Sequence, residues 1–323
     1  MCISMIDIAF LGTGGNMPLP HRFLSSLLIS YKGRKILIDC GEGTQVSMRM
    51  LKWGFKSIDL ILITHEHGDH ILGLPGLLST IGNSGREEPV TIIGPAGIKK
   101  IIEGLLLSIK YSPFDIQIVE VGEQTLALDF TEEGVSIREG MENDDFCDLI
   151  ISTLELDHSV ACLGYSLYVP RKPKFSVDKA NANGVPKEIW KKLQNGKSIV
   201  YEGVYYEPGM VLEGKRRGIK ISYITDTRPD DRIPSFIENS DLFICEGTYG
   251  HDEDMEKARR NKHMTFSEAA GLACRARVGE LILTHFSPSL EEPGLYIENA
   301  RKIFENSMVA YDRLVKSINY NER

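Results

Sequence analysis

The stretch THEHGDHILGLPGLL, residues 64–78, packs three histidines, a glutamate and an aspartate into six positions at the end of an apolar run. The whole chain of 323 residues holds only eight histidines. Imidazole nitrogen and carboxylate oxygen suit zinc and other borderline first-row cations. His65 ends the apolar run, and the turn after it can aim His67, Asp69 and His70 at different faces of one cavity. A single metal does not take that many ligands from one loop while keeping a position open. Two metals sharing the cavity account for them better, and the rest of the chain must then supply further donors.

Those donors are expected where other strands end. Short runs rich in Ile, Leu and Val predict strands over 6–12, 25–31, 35–41, 59–65 and 90–95, with helices over 43–55 and 97–109. A second series follows at 150–158, 163–169, 219–226, 242–247 and 281–286. Thr265 followed by Glu268 reads as the capping box of a helix running to about Arg277. His158, Asp226 and His285 close three of the later strands. The expected partition gives one metal His65, His67 and His158, and the other Asp69, His70 and His285, with Asp226 bridging. Two metals about 3.5–4 Å apart lower the pKa of bound water and clamp the oxygens of a transferring phosphoryl group. The donor set therefore speaks for metal-assisted hydrolysis and does not alone choose the ester.

Two strand-rich halves interleaved with helices suggest an α/β protein of two sheets packed face to face with helices outside. A doubly wound nucleotide-binding fold competes, with GTGGN at 12–16 as its phosphate loop. Met17 stands where its third glycine belongs, so the stretch reads better as a tight turn. No apolar run reaches the length of a membrane span, and the N-terminal residues lack the pattern of a signal peptide. The six cysteines form no C-x-x-C pair and read as buried thiols in a reducing cytoplasm, the expected location.

The net charge of −8 conceals an asymmetry: residues 171–220 carry twelve Lys or Arg against five Asp or Glu. A basic island on an acidic body is what a polyanion would meet first. It falls in an irregular piece, 170–218, broken by Pro170, Pro173 and Pro186, with a modest helical pattern near 186–194.

The chain strongly resembles the metallo-β-lactamase superfamily, whose H-x-H-x-D-H loop is matched by residues 65–70, and within it the ribonuclease Z family. FLGTGG (10–15), LIDCGEGTQ (37–45), THEHGDHILGLPGLL (64–78), LDHSVACLGYSL (156–167), TDTRP (225–229), HMTFSEAA (263–270) and LILTHFSP (281–288) carry the resemblance across nearly the whole chain. It implies a single domain over 1–323 with a four-layer αββα sandwich, two zinc ions (manganese or iron being acceptable to the same ligands), and 170–218 as an inserted substrate-binding arm. It implies cleavage of precursor tRNA on the 3′ side, leaving a tRNA 3′-hydroxyl and a trailer 5′-phosphate. The expected assembly is a homodimer in which one subunit's arm holds the tRNA cut by the other. Asp69 takes the role of general base or orienter of the attacking hydroxide, and His263 protonates the leaving oxygen. Glu246 joins them as a catalytic residue, with Arg22, Lys187, Lys191 and Lys192 binding substrate.

Three departures bear on the tRNA-reading parts. The arm lacks the family's glycine-proline pair and continues KEIWKK (187–192); a histidine of the family is replaced by Cys245 in CEGT; and the early substrate loop reads PLPHRF (18–23), keeping Arg22 but not the family's lysine and asparagine. The competing reading is a metal-dependent phosphodiesterase for small diesters, cyclic nucleotides or another RNA.

Overall fold

The computed structural model describes residues 6–140 and 145–320. One sheet runs, in spatial order, Val315–Ile318, Ile6–Gly12, Ser26–Tyr31, Arg34–Ile38, Ile58–Leu62, Val90–Gly94 and Ile116–Glu120. The second runs Ser307–Val309, Leu281–Thr284, Leu242–Glu246, Arg216–Ile224, Leu163–Arg171, Leu149–Glu155, Thr125–Thr131 and Gly134–Glu139. Each contributes a face to one core. Phe10, Leu27, Ile29, Ile38, Leu60 and Leu62 from the first meet Ile151, Tyr165, Leu167, Ile221, Ile244 and Ile282 from the second. Neighbouring residues in each strand point the other way, following the period of two. Leu28, Leu37 and Ile61 pack under the helices Thr44–Leu51, Leu74–Asn83 and Ile98–Leu106. Phe243, Cys245, Leu281 and Leu283 pack under Ile233–Phe236, Phe266–Arg275 and Ile297–Arg301. The result is the four-layer αββα sandwich. Tyr165, fully buried, donates its hydroxyl across the core to the carbonyl of Ile63 at 2.7 Å, tying the sheets together beside the His65 loop.

The strands stop earlier than their apolar composition suggests. Those expected to reach His65, His158, Asp226 and His285 end at Leu62, Glu155, Ile224 and Thr284. The donors stand in the irregular segments that follow. Asp39, Asp226 and His285 take left-handed backbone, with φ of 57°, 52° and 58°. That conformation breaks the sheet ladder and turns the side chain out of the alternating pattern. The capping box of the helix Phe266–Arg275 forms as expected, from Thr265 and Glu268.

GTGGN is a turn with a specific task. A Cβ on Gly15 would lie 2.4 Å from the His285 ring, so only glycine lets the turn close over that histidine. The turn then brings the Asn16 N–H to Asp69 Oδ2 at 2.6 Å.

Strands Leu163–Arg171 and Arg216–Ile224 pair antiparallel, and the chain between them leaves the sheet. It forms short helices, Val177–Ala182 and Trp190–Gln194, and a hairpin of Ile199–Tyr201 with Val204–Tyr206. Ala180, Val185, Ile189, Leu193, Val211 and Leu212 give it a small core of its own. Cys40, Cys147, Cys162 and Cys245 are buried, Cys274 is exposed, and Cys2 lies outside the described residues. Among the described residues no helix is long and apolar enough to cross a membrane.

Candidate metal centre

The segments after the strand ends converge at one edge of the sandwich. They bring together His65, His67 and His158; His65, His70 and Asp226; and Asp69, His70 and His285, each group with its donor atoms within 4.8 Å. Asp226 stands between them. Its Oδ2 lies 3.3 Å from both His70 Nε2 and His285 Nε2, and its Oδ1 lies 3.9 Å from His65 Nε2 and His158 Nε2. Ring nitrogens face one another, His70 Nε2 with His285 Nε2 at 3.2 Å and His65 Nε2 with His67 Nδ1 at 3.1 Å.

The partners behind the rings decide which nitrogens are bare. His70 Nδ1 donates to Asp39 Oδ2 at 2.8 Å, which leaves Nε2 as a lone pair toward Asp226. Thr64 donates its hydroxyl to the same Asp39 oxygen at 2.8 Å, so its Oγ1 accepts from His65 Nδ1 at 3.0 Å and His65 Nε2 is bare too. The pattern repeats across the cleft. Thr248 donates to Glu246 Oε2 at 2.6 Å and accepts from His285 Nδ1 at 3.1 Å. Three lone pairs thus converge on one carboxylate. Cations fit this donor set and relieve the repulsion within it.

Burial and neighbouring charge favour the same states at His65, His158 and Asp226. Burial, with the neighbouring His70, pushes His65 well down, and burial pushes His158 down to about 4, so both are neutral imidazoles. Asp226 would be raised by burial, but the surrounding histidines, His285 foremost, hold it well below the carboxylate range. His70 is opposed by its burial yet raised by Asp226 and Asp39; a cation at Nε2 would stand in place of that proton.

His263 sits across the cleft, its Nδ1 3.2 Å from Glu246 Oε2 and 3.8 Å from Asp226 Oδ1. Burial would lower it, but the charge and hydrogen bond of Glu246, with Asp226, raise it to about 9. Arg228 of TDTRP braces it by donating to the His263 carbonyl and to Glu268. Glu246 itself is fully buried and accepts from the backbone of Thr227 and Met264. It faces His263 on the side away from the cleft and raises that ring's affinity for a proton.

Arg22 is placed otherwise than expected. It is 5% exposed, and its guanidinium donates to the carbonyls of Ser287 and Glu291 and lies over the Phe286 ring. It braces the loop after His285 and is not presented to the cleft. Lys187, Lys191 and Lys192 are exposed on the inserted segment, away from the cleft. Asp39, Thr64 and Arg228 are structural partners of the site that the donor pattern did not reveal, although LIDCGEGTQ, THEHGDHILGLPGLL and TDTRP contain them. The cleft has a volume of about 820 Å³, and Arg260 and Lys262 stand among the residues lining it.

A ribonuclease Z of Clostridium botulinum is 55% identical over 316 residues, spanning 98% of this chain and 99% of its own. One of Alkaliphilus oremlandii is 56% identical over 318 residues, with 98% and 99% spanned. This chain belongs to the ribonuclease Z family. Family models described as anti-Pycsar protein Apyc1 and as beta-lactamase superfamily domain match residues 6–193 and 207–286. The solved structure of human tRNase Z, short form, is 26% identical with a TM-score of 0.66, covering 97% of this chain and 100% of that one. As a ribonuclease Z of the metallo-β-lactamase superfamily, the chain is a metal-dependent endoribonuclease that hydrolyses phosphodiester bonds.

The partner chain through Asp39 yields a prediction. Asp39→Asn removes the charge that fixes the His70 and His65 tautomers without emptying the space. Changes to such partners typically cost about 10–100-fold in metal affinity or activity. Chelator competition on the purified variant should show a loss in that range, and unchanged affinity would remove Asp39 from the account.

Proposed function

We propose that this ribonuclease Z cuts precursor tRNA on the 3′ side, leaving a tRNA 3′-hydroxyl and a trailer 5′-phosphate. His65, His67 and His158 would hold one zinc ion and Asp69, His70 and His285 the other, with Asp226 shared. The observation that carries the reading is the pairing of this donor set with His263 across an open cleft. When bound, the metals supply an activated water and charge stabilisation at the phosphoryl oxygens. Asp69, fixed by the Asn16 N–H and ionised, orients the attacking water and accepts its proton. His263, held protonated by Glu246, gives its proton to the departing ribose 3′-oxygen. Likeness to human tRNase Z, short form, and to the bacterial ribonucleases Z supports the substrate class.

The inserted segment supports an arm that works on the other subunit of a homodimer. It springs from the Arg171 and Arg216 ends of two strands whose opposite ends lead to His158 and Asp226. Strands of nine residues span about 30 Å. Lys187, Lys191 and Lys192 are therefore far from the metals of their own chain and would grip tRNA bound to the partner's.

His263→Ala should retain both metals in elemental analysis yet slow cleavage by about 10²–10⁴-fold, the usual range for a general acid. Loss of one metal equivalent would make His263 a ligand instead.

Deleting 174–212 with a short glycine linker removes a self-packed unit and none of the proposed ligands. Its lysines gain affinity by releasing counterions from phosphates. Cleavage of precursor tRNA should collapse and its binding become less salt-dependent, while hydrolysis of a small chromogenic diester changes little. An unchanged tRNA rate in side-by-side kinetics would favour the small-diester phosphodiesterase reading.

A further inference from the structure

The outer face of the second sheet is only partly roofed. The helices named above cover the side toward Leu281–Thr284. Beyond them, over Leu149–Glu155 and Leu163–Arg171, the face opens into a separate cavity of about 580 Å³. That volume lies within the range of small-molecule sites. Serine hydroxyls of Ser152 and Ser166 line it together with Ile150, Tyr168 and Phe236.

Four cations converge on it: Lys215, Arg216, Arg217 and Lys220. Carboxylates oppose them: Asp145 at 3.9 Å from Lys215, Asp241 at 3.0 Å from Arg217, and Glu238 near Lys220. The balance is positive. Lys220 is anchored at the wall by donating to the carbonyls of Phe236 and Glu238 at 2.7 and 3.0 Å. Arg216 is different. Its Nε is buried and has no hydrogen-bond partner among the described residues. A buried guanidinium N–H without an acceptor is destabilising, and such groups in a folded protein are normally satisfied. Tyr168 accepts from the Gly218 N–H at 2.7 Å, which leaves its own hydroxyl hydrogen for another acceptor.

We propose that this cavity is a second ligand site, binding a small phosphorylated molecule of nucleotide size. The planar guanidinium of Arg216 and the ammonium of Lys220 match a phosphate group, a geometry for which arginine is well suited. The ring of Phe236 and the side chain of Ile150 offer the apolar surface that a base or sugar would cover. Arg216 opens the strand that Asp226 follows, so about 30 Å of strand separates this cavity from the metal centre. The site is thus independent of the hydrolytic cleft and of which RNA is cut there.

Equilibrium dialysis of the metal-loaded protein against labelled inorganic phosphate, and against adenosine monophosphate, tests it. A metal-loaded hydrolytic centre would take phosphate as well, so the readout is the difference in stoichiometry between wild type and variants. The wild type should take up two phosphates per chain and Arg216→Met one, with Lys220→Met weakening the second site at least tenfold. Both variants should hydrolyse a small diester at the wild-type rate, which shows that fold and metal centre survive. The monophosphate should bind the second site at least tenfold more tightly than phosphate, and Phe236→Ala should abolish that advantage. The same phosphate stoichiometry and affinity in wild type, Arg216→Met and Lys220→Met would overturn the proposal. Stoichiometric displacement of the monophosphate from that site by precursor tRNA would overturn its assignment to a small molecule.

Discussion

His65, His67, Asp69, His70, His158, Asp226 and His285 crowd one edge of this sandwich, and their arrangement depends on which imidazole nitrogen carries a proton. Asp39 and Glu246 decide that from opposite sides of the cleft. Asp39 accepts from His70 directly and controls His65 through Thr64; Glu246 controls His285 through Thr248. In each case the hydroxyl gives its proton to a carboxylate and can only accept from the ring. Both carboxylates are fully buried, so these interactions are little screened by solvent. Glu246 serves twice, since the same group holds His263 in its charged form. One carboxylate thereby makes one histidine a lone-pair donor and keeps another charged.

The sandwich exists to bring these groups together. His65, His67, Asp69 and His70 follow a strand of the first sheet; His158, Asp226 and His285 follow strands of the second. The interleaved core and the Tyr165 bond set the spacing of the two sheets. Left-handed backbone at Asp39, Asp226 and His285 is an unusual conformation for such residues. It persists where the surroundings fix it, and here it aims three side chains inward.

Much of this was legible because buried strands announce themselves as runs of Ile, Leu and Val, and because histidine is rare enough for its spacing to carry meaning. The edge strands were not. Ile116–Glu120 and Gly134–Glu139 are only half-buried, so they lack the apolar run that marks the central ones. The helix Leu74–Asn83 was hidden by Pro75 and Gly76 in its first turn, although proline is well tolerated there. Arg22 shows a different limit. An arginine in a polar loop reads as exposed, and only the fold reveals that backbone carbonyls of Ser287 and Glu291 consume its donors. Thr64 and Arg228 escaped for the same reason: their partners are distant in sequence or belong to the backbone.

Asp226 lies within 3.9 Å of histidine nitrogens from both groups, which makes it the donor for the metals to share. Elemental analysis of Asp226→Ala, with turnover measured on the same sample, tests this directly. A clear loss of bound metal and nearly complete loss of hydrolysis are expected. Two full metal equivalents with near-normal turnover would contradict that shared role.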